Sequence, residues 1–241
     1  MALKNPSRAA RPYDDGRELH LLFDLDDTLY PASAGLFPLV SARIRSYIEN
    51  TLGLDERAAR VVQRRYWRRY GTSLRGLMVR HAIDPGPFLE FVHGVPVEDH
   101  LRADADLRAV LASLPGTRHV FTNGPEAWAG RVLQTLGVED LFERTFDIVS
   151  FGYVPKPNDE PYDLVARALG ERADVVLIDD SPANLAPAKA RGWRTIWLRA
   201  PESMAGGARG LSVADSHARP PAADAVVERL DVLPEILASW R

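Results

Sequence analysis

The chain opens its ordered pattern at His20 to Phe23, a short apolar run that stops abruptly at Asp24, with Asp26 and Asp27 close behind. A continuous apolar run closed by acids is the pattern of a buried parallel strand that delivers carboxylates at its C-terminal edge. From Leu36 to about His100 the period changes. Val40, Ile44, Tyr47 and Ile48 fall at spacings that share one helix face, and no convincing strand interrupts the stretch. The chain then alternates. A helix is expected around Asp106 to Leu114, a strand at His119 to Phe121, a helix at Glu126 to Leu136 and an apolar segment at Phe146 to Phe151. A helix around Pro161 to Leu169, a strand at Val175 to Ile178, a helix near Ala183 to Ala190 and a strand at Thr195 to Leu198 follow. Ala225 to Val227 adds an edge strand, and Leu230 to Trp240 a closing helix with Pro234 in its first turn.

Alternation of this kind predicts an α/β fold with a Rossmann-like three-layer parallel-sheet core, and the helical stretch becomes an insertion after the first strand. The expected division is a core of residues 19–30 and 101–241 with a helical unit over 31–100. Residues 1–18, polar and carrying Pro6, Pro12 and Gly16, read as a mobile arm; residues 202–223, with Gly206, Gly207, Gly210, Pro220 and Pro221, read as a mobile loop.

Composition narrows the partners. The net charge is -3 with 26% charged residues, so no overall basic field favours a nucleic acid polymer or an anionic membrane surface. The absence of cysteine removes disulfides, thiolate catalysis and zinc-thiolate sites together. The histidines stand apart from one another in sequence, without metal-ligand spacing, and His119 reads as structural. Apolar stretches are short and broken by charge, and Met1 to Arg17 lacks the apolar centre of a secretory signal, so a cytoplasmic enzyme is expected.

Four segments, each expected at the C-terminal end of a strand, carry the groups that phosphoryl transfer needs: Asp24-Leu25-Asp26-Asp27-Thr28, Thr122-Asn123-Gly124, Lys156, and Asp179-Asp180-Ser181. Open α/β sheets place their ligands at that edge. Asp24 and Asp26 stand where the chain leaves the pleat, so both carboxylates can aim at one pocket. A carboxylate kept ionised beside a metal can attack phosphorus in line, while its neighbour protonates the leaving alcohol and later activates water. Asp27 and Thr28 serve equally well as solvated loop or cap residues. Thr122 and Asn123 precede a helix, where a capping sequence is also an anion site. Lys156, between Pro155 and Pro157, supplies a point charge for phosphate and carboxylates. Asp179 and Asp180 end the strongest strand, and paired acids there call for a cation; magnesium suits hard oxygen ligands.

Phe23 to Leu29 (FDLDDTL), Phe121 to Gly124 (FTNG), Lys156-Pro157 and Ile178 to Ser181 (IDDS) together resemble the four motifs of the haloacid dehalogenase superfamily. The resemblance implies Asp24 as nucleophile, Asp26 as acid/base, Thr122 and Lys156 as phosphate binders, and Asp180 as a magnesium ligand supported by Asp179. The backbone carbonyl of Asp26 would complete the protein's share of the metal sphere. DLDDTLYP (Asp24 to Pro31), YGTSLRGL (Tyr70 to Leu77), His81 to Asp84 and FVHGVP (Phe91 to Pro96) resemble the pyrimidine 5'-nucleotidase family, in which the helical insertion is a cap over the active site. That resemblance implies a small phosphate monoester, a pyrimidine nucleoside 5'-monophosphate such as UMP or CMP, as substrate, with Tyr70 and Arg75 as candidate contacts. Many relatives carry a further acid in the fourth motif where this chain has Asn184. A phosphatase for another small metabolite such as a sugar phosphate uses the same core chemistry; a dehalogenase would need neither Asp26 nor magnesium, and a non-catalytic phosphate-binding module would not need Asp24 and Asp26 intact.

Overall fold

The computed structural model describes residues 17–199 and 219–240. Six strands form one parallel sheet in the order β3-β2-β1-β4-β5-β6: β1 (Glu18–Phe23), β2 (Thr117–Phe121), β3 (Arg144–Phe146), β4 (Ala173–Asp179), β5 (Arg194–Leu198) and β6 (Ala225–Val227). The chain builds outward from β1 through β2 to β3, then returns to the other side of β1 for β4. The order therefore reverses beside β1, and the C-terminal ends of β1 and β4 face the crevice that such a reversal opens.

Alternation along each strand decides which layer a side chain joins. Leu21 and Phe23 of β1, with Val176 and Ile178 of β4, pack into one apolar cluster beneath α5 (Ala105–Ser113), α6 (Glu126–Leu136) and α9 (Leu233–Ser239). Leu22, Val175 and Leu177 point the other way, against Tyr162 and Val165 of α7 (Asp159–Leu169) and Leu185 and Ala188 of α8 (Pro182–Ala190). A strand buried on both faces cannot alternate with polar residues, which is why these segments read as unbroken apolar runs.

Four helices follow β1: α1 (Leu36–Leu52), α2 (Glu56–Tyr70), α3 (Ser73–His81) and α4 (Pro85–His93). Asp55, Thr72 and Asp84 cap α2, α3 and α4 by accepting from the amides of Ala58, Arg75 and Gly86. Their apolar faces close on Ile48, Leu77, Phe88 and Val92, a third cluster that also takes in Ile148 from the loop after β3. Gly76 has no room for a side chain, because a Cβ there would stand 2.4 Å from the Tyr66 side chain on α2. Leu36 and Val40, at the start of α1, belong instead to the cluster under the sheet, so α1 spans both packings.

Two expectations shift, and a third lies mostly outside the described residues. The expected arm over 1–18 loses its last residue to β1, which starts at Glu18, where the backbone N–H pairs with the Arg172 carbonyl. The apolar segment Phe146 to Phe151 is not an extended element: β3 ends at Phe146, and an Asx turn around Asp147 and Ser150 buries Ile148 and Phe151 from two sides. The loop expected over 202–223 lies outside the described residues except for its end, where Arg219 to Ala223 turn back to the sheet and Ala223 is buried. Residues 1–16 of the arm are likewise outside the described residues. Among those described, no helix is long and apolar enough to cross a membrane.

His119 is structural in a way that only the register reveals. It lies on β2 beside β1, where its Nε2 meets Nδ1 of His20 at 3.0 Å, with the rings stacked 5.3 Å apart. Burial, the nearby His20 and Arg144 push the His119 pKa down to about 4. The unfolded chain binds a proton at this imidazole as pH falls through about 6.5, and the folded chain does not until about 4, so stability is lost across that window. At 1.36 kcal/mol per unit, urea unfolding between pH 7.5 and 4.5 should lose at most about 2.5 kcal/mol through this residue, less to the extent that solvent screens the ring. His119→Leu should flatten the slope by that amount; an unchanged slope would exclude the buried pair as its source.

Candidate active site

The amide of Asp24 donates to the carbonyl of Ile178 at 2.9 Å, which carries the β1–β4 ladder one residue past the strand and fixes Asp24 at the sheet edge. Its side chain is buried, and Oδ1 accepts from Lys156 Nζ at 2.9 Å. The same ammonium donates to Asp179 Oδ2 at 2.8 Å and to the Phe121 carbonyl, which uses all three of its protons. Burial opposes the charge on Lys156, but the two carboxylates outweigh it and raise its pKa. Asp179, with no solvent exposure, is pushed upward by burial against the pull of Lys156.

Lys156 does not stand at a strand end, as the sequence suggested. It lies on the connection from β3 to α7, and its backbone is held from the neighbouring motif: the Asn123 side chain accepts from the Lys156 amide at 2.8 Å and donates to its carbonyl at 3.1 Å. Asn123 is therefore committed to Lys156, and its backbone amide is the part left for a phosphate. Thr122, buried at the end of β2, accepts from the Gly124 amide at 2.9 Å, the short turn expected of a cap that doubles as an anion site.

Asp26 has partners that the sequence did not disclose. Its Oδ1 accepts from the Tyr30 hydroxyl at 2.5 Å and from Trp128 Nε1 at 2.9 Å. Two donors on one oxygen orient the carboxylate, and a methyl placed on Gly124 would stand 3.4 Å from Thr122 Oγ1 and 3.9 Å from Asp26 Oδ2. The second oxygen thus faces the Thr122 turn. Burial and the neighbouring acids, Asp26 foremost, raise the Tyr30 pKa well above its ordinary value, which keeps it a donor. His93, at the end of α4, packs at a tilt against Trp128 with ring centres 5.3 Å apart. Tyr30 lies within the DLDDTLYP segment and could have been singled out there; Trp128, far along the chain on α6, left no sequence signal.

Asp24, Asp179 and Asp180 each bring a carboxylate oxygen within 4.8 Å of the others, the acidic group among the described residues that could hold a cation. Hard, closely spaced oxygens fit magnesium. The surroundings divide the labour. Both oxygens of Asp179 are occupied, by Lys156, by the Ser181 amide at 2.8 Å and by Asn184 Nδ2 at 2.9 Å to each. A cation here would draw on Asp24 and Asp180, with Asp179 as their support. Trp197 Nε1 donates to the Asp180 carbonyl at 2.9 Å and steadies that residue. The carboxylate of Asp26, turned to Tyr30 and Trp128, stands outside the acidic group, so any share it takes in the metal sphere falls to its carbonyl. Asn184 donates to Asp179, where an acid would have faced another acid.

Tyr70 and Arg75 are not gathered into this cluster. They line a cleft of about 370 Å³ between the α2–α3 turn and the loop carrying Lys156, a cleft whose lining includes none of the site's carboxylates.

A parallel sheet with a switch point at β1, an aspartate at its edge and a buried lysine bridging two strand-end acids define a hydrolase of the haloacid dehalogenase type. The family model for haloacid dehalogenase-like hydrolases matches residues 20–192, and the chain belongs to that family. It is similar to phosphate metabolism protein 8 of Saccharomyces cerevisiae, 26% identical over 75% of this chain and 61% of that protein. It is also similar to enolase-phosphatase E1 of Streptomyces avermitilis, 31% identical over 60% of this chain and 58% of that one. The matches thus span about three fifths of the length of these relatives. In fold it is similar to the HAD-hydrolase YfnB of Bacillus subtilis, solved bound to magnesium, with a TM-score of 0.57, 16% identity, and 92% of this chain and 99% of that chain covered.

Removing the ammonium should leave two buried acids facing each other. Lys156→Met is expected to cost about 3–5 kcal/mol in urea unfolding at pH 8 without added metal. The loss should shrink at pH 5, because Asp179, already raised by burial, can then take a proton in the folded state. An equal loss at both values would mean that the charge is not what the lysine contributes.

Proposed function

We propose that the protein is a magnesium-dependent phosphatase that hydrolyses small phosphate monoesters through an aspartyl phosphate on Asp24. The observation that carries this reading is the pairing of two differently held carboxylates. Asp24 is drawn by Lys156 into the acidic group, while Asp26 is drawn by Tyr30 and Trp128 out of it. Each environment suits one task. Asp24 attacks phosphorus in line; the bond from phosphorus to the alcohol oxygen breaks, and that oxygen takes its proton from Asp26. In the second step Asp26 takes a proton from water, the water oxygen attacks phosphorus, and the bond to Asp24 breaks to release inorganic phosphate. Thr122 and the Asn123 backbone amide bind the phosphoryl oxygens, and Lys156 balances the charge that gathers at Asp24. Magnesium would be held by Asp24, Asp180 and the carbonyl of Asp26 and would supply Lewis-acid stabilisation of the phosphoryl charge. The names of the two relatives, which speak of phosphate metabolism and of a phosphatase, support phosphorus rather than carbon as the centre attacked.

The finer reading is a nucleotidase for pyrimidine nucleoside 5'-monophosphates, UMP or CMP, with helices α1 to α4 as the cap and Tyr70 and Arg75 as substrate contacts. It is supported by the YGTSLRGL and FVHGVP segments and by the placing of Tyr70 and Arg75 on a cleft beside the Lys156 loop. Phosphate release from a panel of esters with magnesium tests it. A clear preference for UMP and CMP is expected; turnover no better than that of sugar phosphates would remove the nucleotide assignment and leave the phosphatase.

Asp24→Asn should abolish both turnover and the acid-stable, base-labile phosphoenzyme seen on rapid quenching, with an unchanged circular dichroism spectrum. A phosphoenzyme in that variant would place the nucleophile elsewhere. Trp128→Phe removes one of the two donors that aim Asp26 and should lower kcat about tenfold on alkyl phosphates, the cost of roughly 1.4 kcal/mol in the transition state. Aryl phosphates with acidic leaving groups need little protonation and should lose much less. Equal losses on both ester types would show that Trp128 serves the fold and not the acid.

A further inference from the structure

We infer that the cleft beside the Lys156 loop is a binding site for a second anionic group, so that between otherwise matched phosphate monoesters, nucleotides included, the one whose alcohol part also carries a carboxylate or another phosphate is preferred. The inference rests on the phosphatase reading for its substrate, and on the cleft itself for its chemistry. Arg68 and Arg69 from the last turn of α2 and Arg75 from the first turn of α3 face one space of about 370 Å³. Pro155 and Asn158 of the Lys156 loop form its other wall. None of the three guanidiniums has an ion pair or a hydrogen-bonded acceptor for its side chain among the described residues. Glu160 shares the lining and pairs with none of them, so the cleft keeps a positive excess.

That excess is local, since the chain as a whole holds 33 acids against 30 lysines and arginines. Other arginines lie close to acids: Arg108 grips Asp140, and Arg191 takes both Asp159 and Asp163. Three guanidiniums in one cleft repel one another unless an anion joins them, and the planar donor fork of arginine matches carboxylate and phosphate oxygens in pairs. The cleft is also held in register with the reaction centre. A Cβ on Gly71 would stand 2.8 Å from Pro155 Cγ and 3.6 Å from the Lys156 carbonyl, so the turn between α2 and α3 sits directly on the loop whose ammonium reaches Asp24. On this reading the acid-rich centre takes the phosphoryl group, and the cation-rich cleft takes what lies at the other end of the molecule.

The test uses matched pairs: phosphoglycerate against glycerol phosphate for the carboxylate, and a ribonucleoside bisphosphate against its monophosphate for the second phosphate. The ratio of kcat/KM within a pair should favour the doubly anionic member at least tenfold at low salt and fall as ionic strength rises. Arg68→Gln/Arg69→Gln and, separately, Arg75→Gln should each reduce that ratio about tenfold, whereas Arg80→Gln, on α3 but outside the cleft, should leave it unchanged. The arm that responds identifies the anion. Calorimetric binding of the same pairs to Asp24→Asn protein gives the ratio of Kd values without turnover. If no ester releases phosphate but this binding preference exists and is lost in the arginine variants, the phosphatase reading fails and the anion site stands. Phosphate release with no preference in either pair, or a preference unmoved by the arginine variants, overturns the inference.

Discussion

One buried ammonium organises the edge of the sheet. Lys156 carries its charge into a place almost without water, where desolvation would drive the proton off an isolated lysine. It stays charged because Asp24 and Asp179 lie within 2.9 Å of it, and they can remain together because it stands between them. Neither side of this arrangement tolerates loss of the other. The loop that carries the lysine inherits the constraint: Asn123 fastens its backbone at two points, Pro155 is pressed by the α2–α3 turn, and α7 starts immediately after it. Strand ends, helical insertion and loop are thus fitted around a single charge whose neutralisation requires them all.

Much of this was legible. An unbroken apolar run ending in acids marks a central parallel strand, and β1 and β4, two such runs, proved to be adjacent. The motifs on Asp24, Thr122 and Asp179 were readable because their neighbours in sequence are also their neighbours in space. What escaped depended on register or on long-range packing. His20 and His119 form a pair only once β1 and β2 are aligned, and Asp26 meets Trp128 only because α6 packs under the sheet beside it. Lys156 was readable as a residue but not as a position, because the turn after Phe146 hides how soon β3 ends. Asn123 offered phosphate and lysine equal prospects, and the fold gave its side chain to the lysine.

The helices inserted after β1 are joined to the sheet by more than the chain entering and leaving them. Val40 of α1 is buried in the cluster under the sheet, Ile148 and Tyr153 from the loop after β3 pack among the helices, and Arg131 of α6 donates to the His93 and Val95 carbonyls where α4 gives way to the core. His93 at that junction rests on the tryptophan that aims Asp26. The attachment of the insertion and the orientation of the second carboxylate therefore share a side chain.

Asp24 takes its backbone hydrogen bond from the ladder itself, as the rung after the last residue of β1. Only the torsions of its own side chain then separate the carboxylate from the stiffest part of the molecule, with Leu22 and Leu177, fully buried, directly behind it. Freedom at this position is confined to rotation, and translation belongs to the sheet as a whole. On the mechanism proposed above, a reacting partner has to be brought to Asp24 by parts that can yield, and the aspartate serves as the fixed datum from which their alignment is measured.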